Sequence, residues 1–280
     1  MERIIGKVEE MESKIVQLTV RNLVIFALLF CFLTFSACSN NEDKKVKSNS
    51  NENDRIIKEF HHAAISGNLL KVKNFLKKNP GLINAKDENG DTPLSLAIEL
   101  GTDKDVPIYL IKNGADVDFR DEDGSNLLHF VKDRELAELL VNKGVDLNAE
   151  EEGGTTPLHI AASFGRTEVA LFLIENEAKV NAVSKYGTPL RGSVNCSRFE
   201  ISRALIKKGA DPNIKDYCGM TPLHLASMLG RFREVRLLVS NGADVNIKDN
   251  DGKTPLSYTK FGILRNRGKI AKFLRKHGAK

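Results

Sequence analysis

GGTTPLHIAASFG, residues 153–165, holds a helix start and a helix stop in one short run. Thr156 stands where a hydroxyl can accept from first-turn N–H groups. Pro157 follows at the first helical position, where a missing N–H costs nothing. Leu158, Ile160, Ala161 and Ala162 then make a thin apolar helix, and the turn at Gly165 ends it. A second helix follows, with Val169, Phe172, Leu173 and Ile174 at i, i+3, i+4 spacing, an apolar stripe that must be buried. Leu173 is expected in the core between neighbouring units.

The same run recurs along the chain. NGDTPLSLAIELG begins at Asn89, CGMTPLHLASMLG at Cys218 and DGKTPLSYTKFG at Asp251. The Pro falls at positions 93, 157, 189, 222 and 255, with Leu127 in its place in GSNLLHF, so the period is close to 33 residues. Each run leads through a second apolar stretch to NGADV, KGVDL, NEAKV or KGADP, where Gly114, Gly209 and Gly242 supply a left-handed residue after the second helix. FHHAAISGNLLKVKNFLKKNP, ahead of the first complete run, has the pattern without its TPL start, as a cap. These units resemble ankyrin repeats, whose signature is T-P-L-H-x-A in about 33 residues. The resemblance implies an all-α, ankyrin-like helical repeat solenoid with β-turn fingers over residues 55–280, in about seven units including caps. No unit buries its apolar face alone, so stability comes from stacking.

The histidines are absorbed by the repeat. His61, His129, His159 and His224 occupy its His slot, where the resemblance implies a bond to backbone between adjacent units. Standing on successive units, they cannot converge on one metal ion. His277 is expected to be exposed and His62 partly covered. The sequence has no Gly-rich phosphate loop, no Ser or Cys nucleophile with a plausible base and no carboxylate pair at a defined site. A non-enzyme without cofactor or metal is therefore expected.

Residues 1–54 are of another kind. NLVIFALLFCFLTFSA, from Asn22 to Ala37, carries no charge, follows Arg21 and ends at Cys38. It is short for a membrane span, which needs about 20 apolar residues, and suits a secretory signal core. TFSAC, Thr34 to Cys38, resembles the lipobox of bacterial lipoproteins, with Phe35 where that family prefers Leu. The resemblance implies cleavage before Cys38 and lipidation of its thiol. An ordinary signal peptide or an uncleaved anchor also fits the bare residues. Starting at Met11 leaves Lys14 and Arg21 against Glu12 alone, which makes Met11 the better initiator. Residues 1–37 are thus read as a lipoprotein-type signal peptide and 38–54 as a flexible polar tether, which lacks apolar side chains to bury apart from Val46.

Composition agrees with an elongated interaction module. The chain has 280 residues, 41% hydrophobic and 28% charged, with aromatics at 6% and no Trp. The net charge of +5 favours solubility, and no nucleic-acid partner is expected. The ankyrin resemblance implies a protein partner at the finger tips and at the exposed ends of the first helices. By position these are Glu88, Asn89, Asp91, Glu99 and Leu100, then Glu122, Asp123 and Ser125. Glu152, Thr155, Ser163 and Phe164 follow, then Lys185, Tyr186, Asn195 and Cys196. Unit 6 offers Tyr217, Cys218, Met220, Met228 and Leu229. Unit 5 lacks one finger residue before Thr188 and has Arg191 for His. The last 28 residues carry nine Lys or Arg and no acid, which suits the polar outer face of a terminal cap. Cys196 and Cys218 sit at opposite ends of their units and are expected as free thiols. The function expected is an exported, lipid-anchored adaptor, monomeric, in the bacterial envelope (the outer membrane or periplasm where there are two membranes). The alternative is an inhibitor or immunity protein that blocks a secreted toxic enzyme such as a lipase.

Overall fold

The computed structural model describes residues 47–101, 103–260 and 266–280. The chain divides into two units, 1–52 and 53–280. The expected signal peptide, Met11, Cys38 and the tether up to residue 46 lie outside the described residues.

Helices come in pairs. α1 (Lys47–Ile65) and α2 (Leu69–Lys78) form the first, followed by a 3-10 turn over Pro80–Asn84. Then come α3 (Pro93–Glu99) with α4 (Asp105–Lys112), α5 (Leu127–Phe130) with α6 (Arg134–Asn142), and α7 (Pro157–Ser163) with α8 (Thr167–Glu175). α9 (Pro189–Asn195) with α10 (Phe199–Lys207), α11 (Pro222–Met228) with α12 (Phe232–Ser240), and α13 (Pro255–Tyr258) with α14 (Arg267–Lys276) complete the set. Among the described residues there is no strand, only an isolated bridge between Ser184 and Gly187. First helices pack on neighbouring first helices and second helices on second helices, which makes an all-α solenoid.

The tether reading needs one correction. Residues 47–54 are helical, the N-terminal extension of α1. Residues 52–55 are exposed, whereas Phe60, Ala63 and Ala64 further along are buried. Adding turns to a helix already anchored by packing avoids the nucleation cost, so a polar sequence can extend it.

The helix starts follow from their residues. Thr92 Oγ1 accepts from Ser95 N at 3.1 Å and Thr188 Oγ1 from Arg191 N at 3.4 Å. One continuous core runs from Phe60 to Leu274. Leu158, Leu173, Leu190, Leu205 and Leu223 are fully buried in it, each contributing about 1.5–3 kcal/mol from its removal from water.

Unit 3 is the short one, as the 30-residue step to Pro157 foretells. α5 stops after four residues because Val131 turns extended, at ψ 135°. The missing turn leaves carbonyls without partners, and unit 4 supplies one. Arg166 Nη1 donates to His129 O and to Val131 O, both at 2.9 Å. Burial pulls the pKa of Arg166 below its ordinary value.

Candidate protein-binding face

Each finger is a turn closed by its own backbone. Asp87, Asp121, Glu151, Asp216 and Asp249 donate N–H to the carbonyls of Asp91, Ser125, Thr155, Met220 and Lys253, at 2.9–3.1 Å. In four of these the leading Asp also accepts two N–H groups at Oδ1, as Asp216 does from Cys218 and Met220 at 2.8 and 2.9 Å. The finger of unit 5, one residue shorter, closes from Ser184 N to Gly187 O at 3.0 Å. Neighbouring fingers are joined as well. Glu152 N donates to Asp123 O at 2.8 Å, Lys185 N to Gly153 O at 2.9 Å, and Asn250 N to Cys218 O at 3.1 Å.

The histidines carry the fingers. In units 3, 4 and 6 the backbone N–H of Asn126, Thr156 or Thr221 donates to the imidazole Nδ1 at 3.1 Å. That contact fixes the proton on Nε2, because Nδ1 must accept. Nε2 donates to the next finger's carbonyl, at Thr155, Gly187 and Lys253, over 3.2, 3.0 and 3.1 Å. His61 Nε2 meets Ala85 O at 2.8 Å in the same way. Burial pushes His129, His159 and His224 below the ordinary imidazole value, His159 to about 4. Their role is structural, as the repeat implies.

A second ladder was not anticipated from the sequence. Asn181 Nδ2 donates to Gly209 O at 3.0 Å while its Oδ1 accepts from Asp211 N at 2.8 Å. Asn213 and Asn246 repeat this clamp on the next units, through Gly242 and Asp244, then Gly278 and Lys280. Its signal was an Asn at one fixed repeat position, at 84, 148, 181, 213 and 246.

The expected partner residues fall on two edges of the first-helix face. A seven-residue helix is about 10 Å long, and that length separates the edges. On the finger edge Glu88, Asn89, Glu122, Asp123, Glu152, Lys185, Tyr186 and Tyr217 are exposed, and Asp91, Cys218 and Met220 are half-buried. Lys58 Nζ lies 2.8 Å from Glu88 and holds that carboxyl below its usual range. Burial raises Asp91. On the far edge Phe164 is exposed, with the Arg166 guanidinium 5.5 Å from its ring centroid. Glu99, Leu100, Met228 and Leu229 there are half-buried.

Thr155 does not belong to this face. It is 5% exposed, and its carbonyl is held by Glu151 N and His129 Nε2. The residue before the helix cap turns inward to receive the histidine, so its side chain cannot meet a partner. Ser125, at the same place in unit 3, is buried too, with its carbonyl accepting from Asp121 N and its hydroxyl donating to Glu151. The sequence reading missed Val183, which is 56% exposed beside Tyr186 at 47% and Tyr217 at 57%. Its signal was visible: Lys86, Arg120, Glu150, Lys215 and Lys248 fill that slot in other units.

Cys196 and Cys218 are both free and half-buried. Cys196 caps α9 and donates its thiol to Ser163 O, and burial pushes its pKa up.

This geometry has known relatives. A family model described as ankyrin repeats (3 copies) matches residues 60–150, 103–184 and 130–216, and one described as ankyrin repeats (many copies) matches 205–258. Rabankyrin-5 of Mus musculus is 32% identical over 162 residues, covering 53% of this chain and 11% of that protein. The chain thus spans about a tenth of that relative's length. The probable 26S proteasome regulatory subunit p28 of Saccharomyces cerevisiae is 28% identical over 174 residues, 60% of this chain and 63% of that one. The crystal structure of the ankyrin repeat domain of Bcl-3 superposes with a TM-score of 0.60 at 28% identity, over 76% of this chain and 97% of that one. Both matching models describe ankyrin repeats rather than a catalytic family, and ankyrin repeats are modules for binding other proteins. The chain belongs to the ankyrin-repeat family.

Proposed function

We propose that this chain is a lipid-anchored, exported adaptor that holds another protein at a bacterial cell envelope. The partner lies on the finger edge of units 5 and 6. One observation carries the choice of face: Val183, Tyr186 and Tyr217 are exposed on adjacent fingers of a body whose apolar side chains are otherwise largely buried. Exposed apolar and aromatic side chains grouped in this way are what a partner covers. The anchor rests on TFSAC and on the thiol of Cys38. An inhibitor of a secreted toxic enzyme would use the same face, and the identity of the partner separates the two roles.

The test places a photocrosslinker at position 217 in the full chain, in cells, with Lys143 as the control position. A defined adduct at 217, absent at 143 and lost with Tyr186→Asp, is expected. A metabolic palmitate analogue should label the wild type and not Cys38→Ala. Equal crosslinking at 143 removes the face, and equal labelling of Cys38→Ala removes the anchor. If the captured protein is an enzyme that the purified chain inhibits, the inhibitor role replaces the adaptor role.

A further inference from the structure

The outer face of the solenoid, made by the second helices, changes character along its length. In units 2 and 3 two of its cations have carboxylate partners: Lys104 Nζ is 2.8 Å from Glu135, and Arg134 is 2.9 Å from Glu175. On α10, α12 and α14 the exposed Arg203, Lys207, Arg233, Arg236 and Lys272 form no ion pair among the described residues. Of the two carboxylates on these three helices, Glu234 is buried and accepts from Ser197 Oγ, which leaves Glu200 alone exposed. Unpaired cations gathered on one surface leave a positive field that an anionic partner can satisfy.

Between the same helices runs a groove of about 480 Å³. Half-buried Phe199, Leu237 and Phe273 line it together with exposed Arg233, Arg236 and His277. The aromatic rings already have companions. Arg233 lies 4.2 Å from the Phe199 centroid, His277 is 4.1 Å from Phe273, and Phe232 meets Phe273 edge-on at 5.7 Å. Nucleic-acid bases stack in succession on open aromatic platforms, whereas these rings are half-buried and leave room between them for a single apolar side chain. A bilayer needs apolar side chains that protrude, whereas these are recessed. A polypeptide with carboxylates flanking one apolar side chain meets both features at once.

We propose that this groove binds an acidic peptide segment of a partner protein. An apolar anchor residue sits on Phe199, Leu237 and Phe273, and its carboxylates pair with Arg233 and Arg236. The surface belongs to the second helices and is separate from the finger edge. Its occupation therefore stands or falls independently of the adaptor face.

The experiment measures fluorescence anisotropy of a labelled short polyglutamate peptide with one central phenylalanine, titrated with the full chain. The double variant Arg233→Glu/Arg236→Glu is expected to weaken binding by about tenfold or more, since each lost charge pair at a groove removes a large share of the affinity. Lys112→Glu/Lys143→Glu, the same charge change on exposed positions of units 2 and 3, should leave binding within about twofold. The peptide without its phenylalanine should bind more weakly than the parent. If the double variant loses its cooperative melt, Arg236→Gln replaces it and should weaken binding in the same direction. Equal weakening by the control pair, no binding of the peptide, or phosphatidylserine vesicles binding in its place with the same Arg233 and Arg236 dependence, overturns the proposal.

Discussion

Unit 4 closes on unit 5 through His159, whereas unit 5 closes on unit 6 through Arg191. At the first joint a neutral imidazole bridges its own helix start and the Gly187 carbonyl, 3.0 Å away. At the second, Arg191 stands in the histidine slot with its Nε 2.8 Å from Asp216 Oδ2, an ionic contact rather than a well-aligned hydrogen bond. Asp216 is the acid that also organises the next finger through its Oδ1. Acid can put a charge on the histidine joint, whereas the arginine joint is charged already, because a guanidinium keeps its proton. One slot in one repeat thus tolerates two chemistries, provided that each reaches the following finger.

Acid should separate the two joints with the largest effect. Burial lowers the folded-state pKa of His129, His159 and His224, so below about 6.5 the unfolded chain binds protons that the folded chain refuses. Their contribution is intact above the unfolded value and is lost as pH falls toward the folded one. For His159, with a folded value of about 4, the loss reaches about 3 kcal/mol by pH 4. Urea midpoints at pH 7, 6 and 5 should fall steadily, in a range where most carboxylates stay ionised in both states. A midpoint flat from pH 7 to 5 would show that the imidazoles are not held neutral.

Removing the charge at the arginine joint comes next. Asp216→Asn keeps an oxygen for the finger N–H groups and deletes the partner of Arg191. The Asp216 side chain is 1% exposed and that of Arg191 15%, so the orphaned guanidinium keeps some water. The cost expected is about 2–3 kcal/mol, below that of a fully buried pair. Chemical denaturation of the wild type and the variant at pH 7 checks it. A midpoint equal to that of the wild type would show that the Arg191–Asp216 contact carries no stability.

The smallest change sharpens the comparison at the backbone. Glu177 adopts φ 66° after α8, where units 2, 3, 5, 6 and 7 place Gly114, Gly144, Gly209, Gly242 and Gly278 at φ of about 90°. A left-handed residue with a Cβ is strained by about 1 kcal/mol, so Glu177→Gly should stabilise the chain by about that amount. Thermal melting reads it directly. A lower melting temperature would mean that the Glu177 side chain contributes a contact worth more than the strain.

Much of this architecture was legible because the repeat imposes it. Thr and Pro at the start of most first helices, Gly after most second ones and His in the third helical position of several units are local requirements that recur at a fixed spacing. Leu173 in the core and two free thiols follow from register alone. The exposed Phe164, Tyr186 and Tyr217 were legible too, as apolar residues in polar slots. Thr155 was misread because sequence position places it beside a finger tip, while the histidine of the preceding unit draws its carbonyl inward.

The sequence by itself determined the period, the helix pairs and the residues that close each unit, since capping, turn geometry and apolar spacing act within about one repeat. Tertiary structure alone decided what passes between units. It decided that Arg166 fills the carbonyls left by the shortened α5, that Asn181, Asn213 and Asn246 clamp their successors, and that Arg191 reaches Asp216. It also decided that the cations of α10 and α12 stay unpaired while Arg134, on α6, finds Glu175. Those outcomes depend on distances between residues 25 to 41 positions apart, and such distances are set only when one unit stacks on the next.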